Sequence, residues 1–83
     1  DVIPKRVRSL ITIAILAALK APNELKGHVR GALRNGCTEE EIRDVLLQST
    51  VYCGMPAGID AFKAAKDAIE LWNSENSKTK IQR

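Results

Sequence analysis

The stretch Pro22-Asn23-Glu24-Leu25-Lys26-Gly27-His28-Val29-Arg30-Gly31-Ala32-Leu33-Arg34-Asn35-Gly36 reads as one amphipathic helix with both ends marked. Proline is tolerated in a first helical turn, where its missing N–H costs nothing. Leu25, Val29, Ala32 and Leu33 recur at helical spacing and form an apolar stripe. Gly36 supplies the left-handed residue that ends many helices. Immediately beyond, Thr38 with Glu41 forms a capping box that opens the next helix, and Glu39, Glu40 and Glu41 favour the same end through the helix dipole. Helix, glycine stop and capping box in such quick succession predict closely spaced helices, so the chain is expected to be all-α.

The pattern extends in both directions. Upstream, Pro4 can open a helix over about Lys5 to Lys20, basic at its start through Lys5, Arg6 and Arg8. Such charges oppose the dipole and are either solvated or held there for a reason. From Leu10 to Leu19 this helix is apolar all round. A helix of that kind is buried on all sides, and one small chain has little to cover it with, so another subunit is expected on part of its surface. Downstream, Ile42, Val45, Leu46, Ser49 and Cys53 share a face of the third helix, which ends at Gly54. Pro56 opens a fourth, with Ala61, Phe62, Ala65, Ala68, Ile69 and Trp72 on its buried side and Lys63–Asp67 and Lys66–Glu70 as solvent-side pairs. From Ser74 the sequence turns polar and reads as a frayed end. Period-two alternation is absent, so no strand competes. The organisation predicted is a helical domain over residues 1–75 and a polar basic tail over 76–83.

Length and charge narrow the function classes. The 83 residues suffice for one small domain, and a chain of this size buries only roughly 60% of its unfolded surface. The net charge of +3 invites a nucleic-acid reading. Its distribution argues otherwise: residues 1–36 carry seven basic and two acidic side chains, residues 37–75 three and eight, and the tail adds Lys78, Lys80 and Arg83. A nucleic-acid binder clusters its basic residues on one folded face. Neither nucleic acid nor membrane is therefore expected as a partner; the longest uncharged apolar run, Leu10 to Leu19, is too short to span a bilayer. Cys37 and Cys53 show no zinc spacing and are expected as reduced thiols in a cytoplasmic protein.

His28 is the one histidine. Beside the apolar stripe it reads either as a boundary residue satisfied by Glu24 one turn earlier, or as a proton donor tuned by that carboxylate. One histidine and no cysteine cluster offer no metal set. Arg30 points about 200° around the helix from His28, so it serves the same site only if a neighbouring subunit completes the pocket. Arg8 can approach either face. Each arginine is either a solvated charge or a carboxylate clamp. Tyr52-Cys53-Gly54-Met55-Pro56 is a tight corner that places a phenol and free backbone N–H groups at a helix start; Cys53 is spaced as a core residue.

Arg8-Ser9-Leu10-Ile11-Thr12, the run from Glu24 to Gly36, Thr38-Glu39-Glu40-Glu41-Ile42 and Val51-Tyr52-Cys53-Gly54-Met55-Pro56-Ala57 together resemble the carboxymuconolactone decarboxylase family over about residues 5 to 72. The pattern E-L-x-x-H-x-R-G-A-L-x-N-G is closest to its 4-carboxymuconolactone decarboxylase branch. The resemblance implies the alkylhydroperoxidase D-like fold of about four helices, assembled as a trimer or hexamer. It also implies cofactor-independent decarboxylation of a carboxylated lactone to 3-oxoadipate enol-lactone, in the protocatechuate branch of aromatic catabolism. By the same resemblance His28 is the acid, Glu24 orients it, Arg30 and Arg8 hold substrate carboxylates, and Tyr52 hydrogen-bonds the lactone carbonyl. Members of the branch usually carry a further N-terminal helical segment, so this sequence is expected to be a short or truncated member. Two other readings stand beside this one. The chain could be a non-catalytic helical oligomer of the same family. It could also be a peroxidase, but aligning the peroxidase motif on His28 puts Ala21 and Glu24 where its cysteines belong.

Overall fold

The computed structural model describes residues 2–82, with side chains through Asn76. Four helices follow one another: α1 (Lys5–Ala18), α2 (Pro22–Arg34), α3 (Glu39–Cys53) and α4 (Met55–Gln82). Among the described residues there is no strand. The ends form as the sequence chemistry predicts. Thr38 Oγ1 accepts from the Glu41 N–H at 3.1 Å, and Glu41 Oε1 accepts from the Thr38 N–H at 2.9 Å. Gly36 takes φ +95° beyond α2, and Gly54 takes φ +93° between α3 and α4. Helix α1 stops at Ala18 rather than Lys20. Lys20 itself is left-handed at φ 55°, and the Ala21 N–H closes back on Leu16 O at 3.0 Å, the geometry in which glycine is more usual.

Helix α2 lies against both α1 and α4, and α3 packs against the same two helices. Ile13, Leu25, Val29, Ile42 and Leu46 are fully buried where the four meet. Each such side chain contributes about 1.5–3 kcal/mol of transfer free energy. The rest of the core is small: Ala57, Ala61, Ala64, Ala65 and Ala68 line the inner side of α4. Short side chains let helices approach closely, and Gly58 shows how closely. A Cβ there would lie 2.7 Å from Thr50 Cγ2, and Thr50 is held in place by its own bond to Leu46 O at 2.8 Å.

Three expectations change. Cys53 is exposed, not core. The whole corner from Val51 to Pro56 is exposed, because Gly54 turns the chain before any element covers the last turn of α3. Asp67 pairs with Lys26 of α2 at 3.7 Å, bridging two helices instead of joining Lys63. Helix α4 does not fray at Ser74. Asn73 donates to Glu39 at 2.9 Å and Arg30 donates to Glu75 at 2.7 Å, and these ties hold its far half against α3 and α2. The side chains of the basic tail beyond Asn76 lie outside the described residues.

Candidate functional site

Helix α1 shows α2 a polar face. Lys5, Arg8, Ser9 and Thr12 recur at the helical spacing that puts them in one row, and His28 and Asn35, two turns apart on α2, stand opposite. These six residues line an open pocket of about 240 Å³. Of the basic entry of α1, Lys5 and Arg8 line the pocket, while Arg6 pairs with Glu41 at the start of α3. Among the described residues no carboxylate lines the pocket. Its positive charge, together with the N-terminal end of α1, favours anions, and the arginine fork suits a carboxylate in particular. Among the described residues no group of three or more His, Cys, Asp and Glu side chains comes together to hold a metal.

Polar contacts fix the lining. Asn35 Nδ2 donates to Ser9 Oγ at 3.0 Å, joining α1 to the end of α2. Thr12 Oγ1 donates to Arg8 O at 3.0 Å within α1. Asn35 is held at the end of α2, where its backbone N–H bonds Gly31 O at 2.9 Å and Ala32 O at 3.1 Å.

The residues singled out from sequence divide. His28 and Arg8 come together in the pocket. Glu24 is exposed one turn before His28 and does not line it. Arg30 lies on the other side of α2, as its angular offset requires, and is tied to Glu75 of α4. Its Nε is buried without a hydrogen-bond partner. Tyr52 is 80% exposed and borders a separate, larger groove of about 610 Å³ between α1 and α3. Ser9, Thr12 and Asn35 do not stand out by residue type, and Lys5 is visible only as part of the basic entry of α1, although the 5-8-9-12 and 28-35 spacings are present in the sequence.

Buried thiol chemistry lies elsewhere. Cys37 is 5% exposed and donates to Arg6 O at 3.3 Å. Burial pushes its thiol up, the Glu41 charge adds to the rise, and Arg6 opposes it.

The fold and pocket define a small helical protein with a pocket lined by Lys5, Arg8 and His28 between its first two helices. Comparison with known proteins is more specific. The model of the carboxymuconolactone decarboxylase family matches residues 1–67, and the chain belongs to that family. It is 37% identical over 68 residues to 4-carboxymuconolactone decarboxylase of Acinetobacter baylyi, covering 82% of this chain and 51% of that protein. It is 43% identical over 65 residues to nitrosuccinic acid decarboxylase of Metarhizium robertsii, covering 78% of this chain and 46% of that one. The chain therefore spans about half the length of these curated relatives.

Proposed function

We propose that this chain carries the proton-donating and anion-binding part of a carboxy-lyase, with 4-carboxymuconolactone as substrate. The observation that carries the reading is the juxtaposition of His28, Arg8 and Lys5 in the lining of one pocket. Decarboxylation needs a cationic anchor for the substrate's carboxylates, a sink for the electron pair and one proton. The bond from the substrate carbon to its carboxylate breaks and carbon dioxide leaves. The released pair enters the conjugated lactone carbonyl, and a proton from the His28 imidazolium then reaches carbon to give 3-oxoadipate enol-lactone. Solvent restores the proton on His28. Arg8 is the carboxylate clamp in this scheme. Arg30, already paired with Glu75, and Glu24, outside the lining, act through the scaffold.

Two relatives with decarboxylase names and different substrates support the reaction class more strongly than the substrate. Nitrosuccinic acid is the second compound to test. We also propose that copies of this chain assemble through the apolar side of α1, where Ile11 and Ile15 remain 45% and 52% exposed.

Carbon dioxide release from each acid, followed for wild type and His28→Ala, tests the reading. Loss of a positioned acid costs roughly 10²–10⁴-fold in rate. Wild-type protein that folds and assembles yet releases nothing from either acid favours the non-catalytic reading. A His28→Ala variant as fast as wild type removes His28 from the chemistry. The thiol-peroxidase reading gains no support from the thiols, one buried and pushed up, the other on the far groove.

A further inference from the structure

One role in that scheme is left without a residue. The carbonyl oxygen that receives the electron pair needs a hydrogen-bond donor, and Tyr52, the sequence's nominee, stands on the other groove. We infer that Ser9 is this donor and that Asn35 is the residue that positions it; the inference rests on the decarboxylase reading of the same pocket.

Two hydroxyls line the pocket, and their hydrogen bonds use them in opposite ways. Thr12 spends its proton on Arg8 O, within its own helix. It keeps only lone pairs to offer. Ser9 is on the receiving end: Asn35 Nδ2 donates to its Oγ. One lone pair is filled, the oxygen is held from the opposite helix, and its own proton remains free. Ser9 is thus the neutral hydroxyl of this lining with an unspent donor.

Neutrality matters for the assignment. Lys5 and Arg8 bear full charges and match groups already ionised in the substrate. The lactone carbonyl is neutral when bound and gains charge only as carbon dioxide leaves. A neutral, preset O–H interacts weakly with the first form and strongly with the second, which is the difference that accelerates a reaction. Asn35 touches no substrate in this scheme; it acts by holding Ser9, and its backbone bonds at the end of α2 fix where its amide sits.

The test is steady-state kinetics on 4-carboxymuconolactone with Ser9→Ala, Ser9→Thr, Asn35→Ala and the Ser9→Ala/Asn35→Ala double variant. Ser9→Ala should lower kcat by about 100-fold, the lower end of the range for losing one such donor, with KM moved less than about threefold. Ser9→Thr, which keeps the hydroxyl, should recover most of the loss. Asn35→Ala should lower kcat alone and cost nothing more on the Ser9→Ala background. In the ligand-free protein, Ser9→Ala should also shift the Asn35 side-chain amide signals in a nitrogen–proton NMR spectrum that otherwise reports an intact fold. An unmoved Asn35 amide overturns the pairing. Normal turnover by Ser9→Ala, or a change confined to KM, overturns the donor role while leaving the decarboxylase reading in place. Wild-type protein without turnover overturns both.

Discussion

Helix α1 presents two unlike surfaces. Toward α2 it offers Lys5, Arg8, Ser9 and Thr12 around a small polar pocket. Toward α3 it offers Val7, Leu10, Ile11, Ala14, Ile15 and Ala18 along a groove more than twice as large. Apolar contact is strong but undirected, whereas hydrogen bonds and fixed charges select orientation. The polar surface therefore suits a small anion whose atoms must be placed, and the apolar surface suits a partner that buries area. Exposed apolar patches bordered by polar residues, here Asp44 and Gln48, are where proteins meet partners. On the proposed function one helix divides chemistry from assembly, and the division can be broken experimentally.

The largest expected effects come from placing a wrong side chain on each surface. Ile15→Glu puts a charge into the groove. The dissociation constant of the assembled protein should rise by about 100-fold or more, as for loss of an interface hot spot, while circular dichroism keeps its helical signal. Arg8→Ala should do the reverse, retaining assembly by light scattering and losing about 10²-fold in kcat/KM through the missing carboxylate clamp. If Ile15→Glu assembles normally, the groove is not the contact surface between copies, and the division fails.

A third substitution reaches the scaffold where α4 meets α3. Gly58→Ala gains about 1 kcal/mol of helix propensity. It also drives a methyl into Thr50, whose side chain is already committed to Leu46 O. Overpacking of this kind costs about 1–3 kcal/mol, so the crowding should win. Urea denaturation should show a lower midpoint, with the polar pocket's activity per folded molecule retained. A raised midpoint would mean that α3 and α4 separate easily, and that the scaffold is softer than its packing.

The thiols report on the two environments more gently. Cys53 borders the apolar groove and is exposed; Cys37 is buried, with its thiol pushed up first by desolvation. Thiolate is the reactive form, so a thiol reagent should label Cys53 of the dispersed chain at least about tenfold faster than Cys37. Raising protein concentration should then slow Cys53 and leave Cys37 unchanged, if copies cover the groove. Labelling of Cys53 that ignores concentration would separate it from the assembly surface.

Local signals made most of the fold readable. Pro22, Gly36, the Thr38–Glu41 box and Gly54 act through their nearest neighbours, and each helix start or stop they mark falls within a residue or two of its place. What failed was non-local. Cys53 has core spacing, but spacing cannot say that no helix arrives to cover the last turn of α3. Ser74 looks like an end because the sequence turns polar, yet Arg30 and Glu39, far away in the chain, tie down Glu75 and Asn73. The candidate site shows the same limit. His28 and Arg8 stand out by residue type, whereas Ser9 and Asn35 are ordinary until two helices bring them to 3.0 Å. Tyr52 was attractive as a phenol near a helix start, and only the packing of α1 on α3 puts it on the other groove.

The smallest predicted effect lies where the two surfaces of α1 meet. Arg6, between Lys5 of the pocket and Val7 of the groove, reaches Glu41 at the start of α3. The Thr38 backbone N–H, and after it the Arg6 guanidinium, hold the Glu41 carboxyl below its ordinary value of 4.5. A carboxylate whose pKa is lowered by folding stabilises the fold above its unfolded pKa and ceases to do so as pH falls through the folded value. The stability advantage of wild type over Glu41→Gln should therefore be constant near neutrality and shrink once pH drops below about 4.5. Glu41 is at the surface, so solvent screening keeps the advantage small. Salt separates its two sources: the ion pair with Arg6 weakens as ionic strength rises, while the capping bond to Thr38 is a short local contact that salt leaves largely intact. Acid titrations of wild type, Arg6→Ala and Glu41→Gln at low and high salt check this. An Arg6→Ala curve that matches wild type at both salts would show that the capping box alone anchors this end of α3, and that α1 keeps its two surfaces in register without the tie.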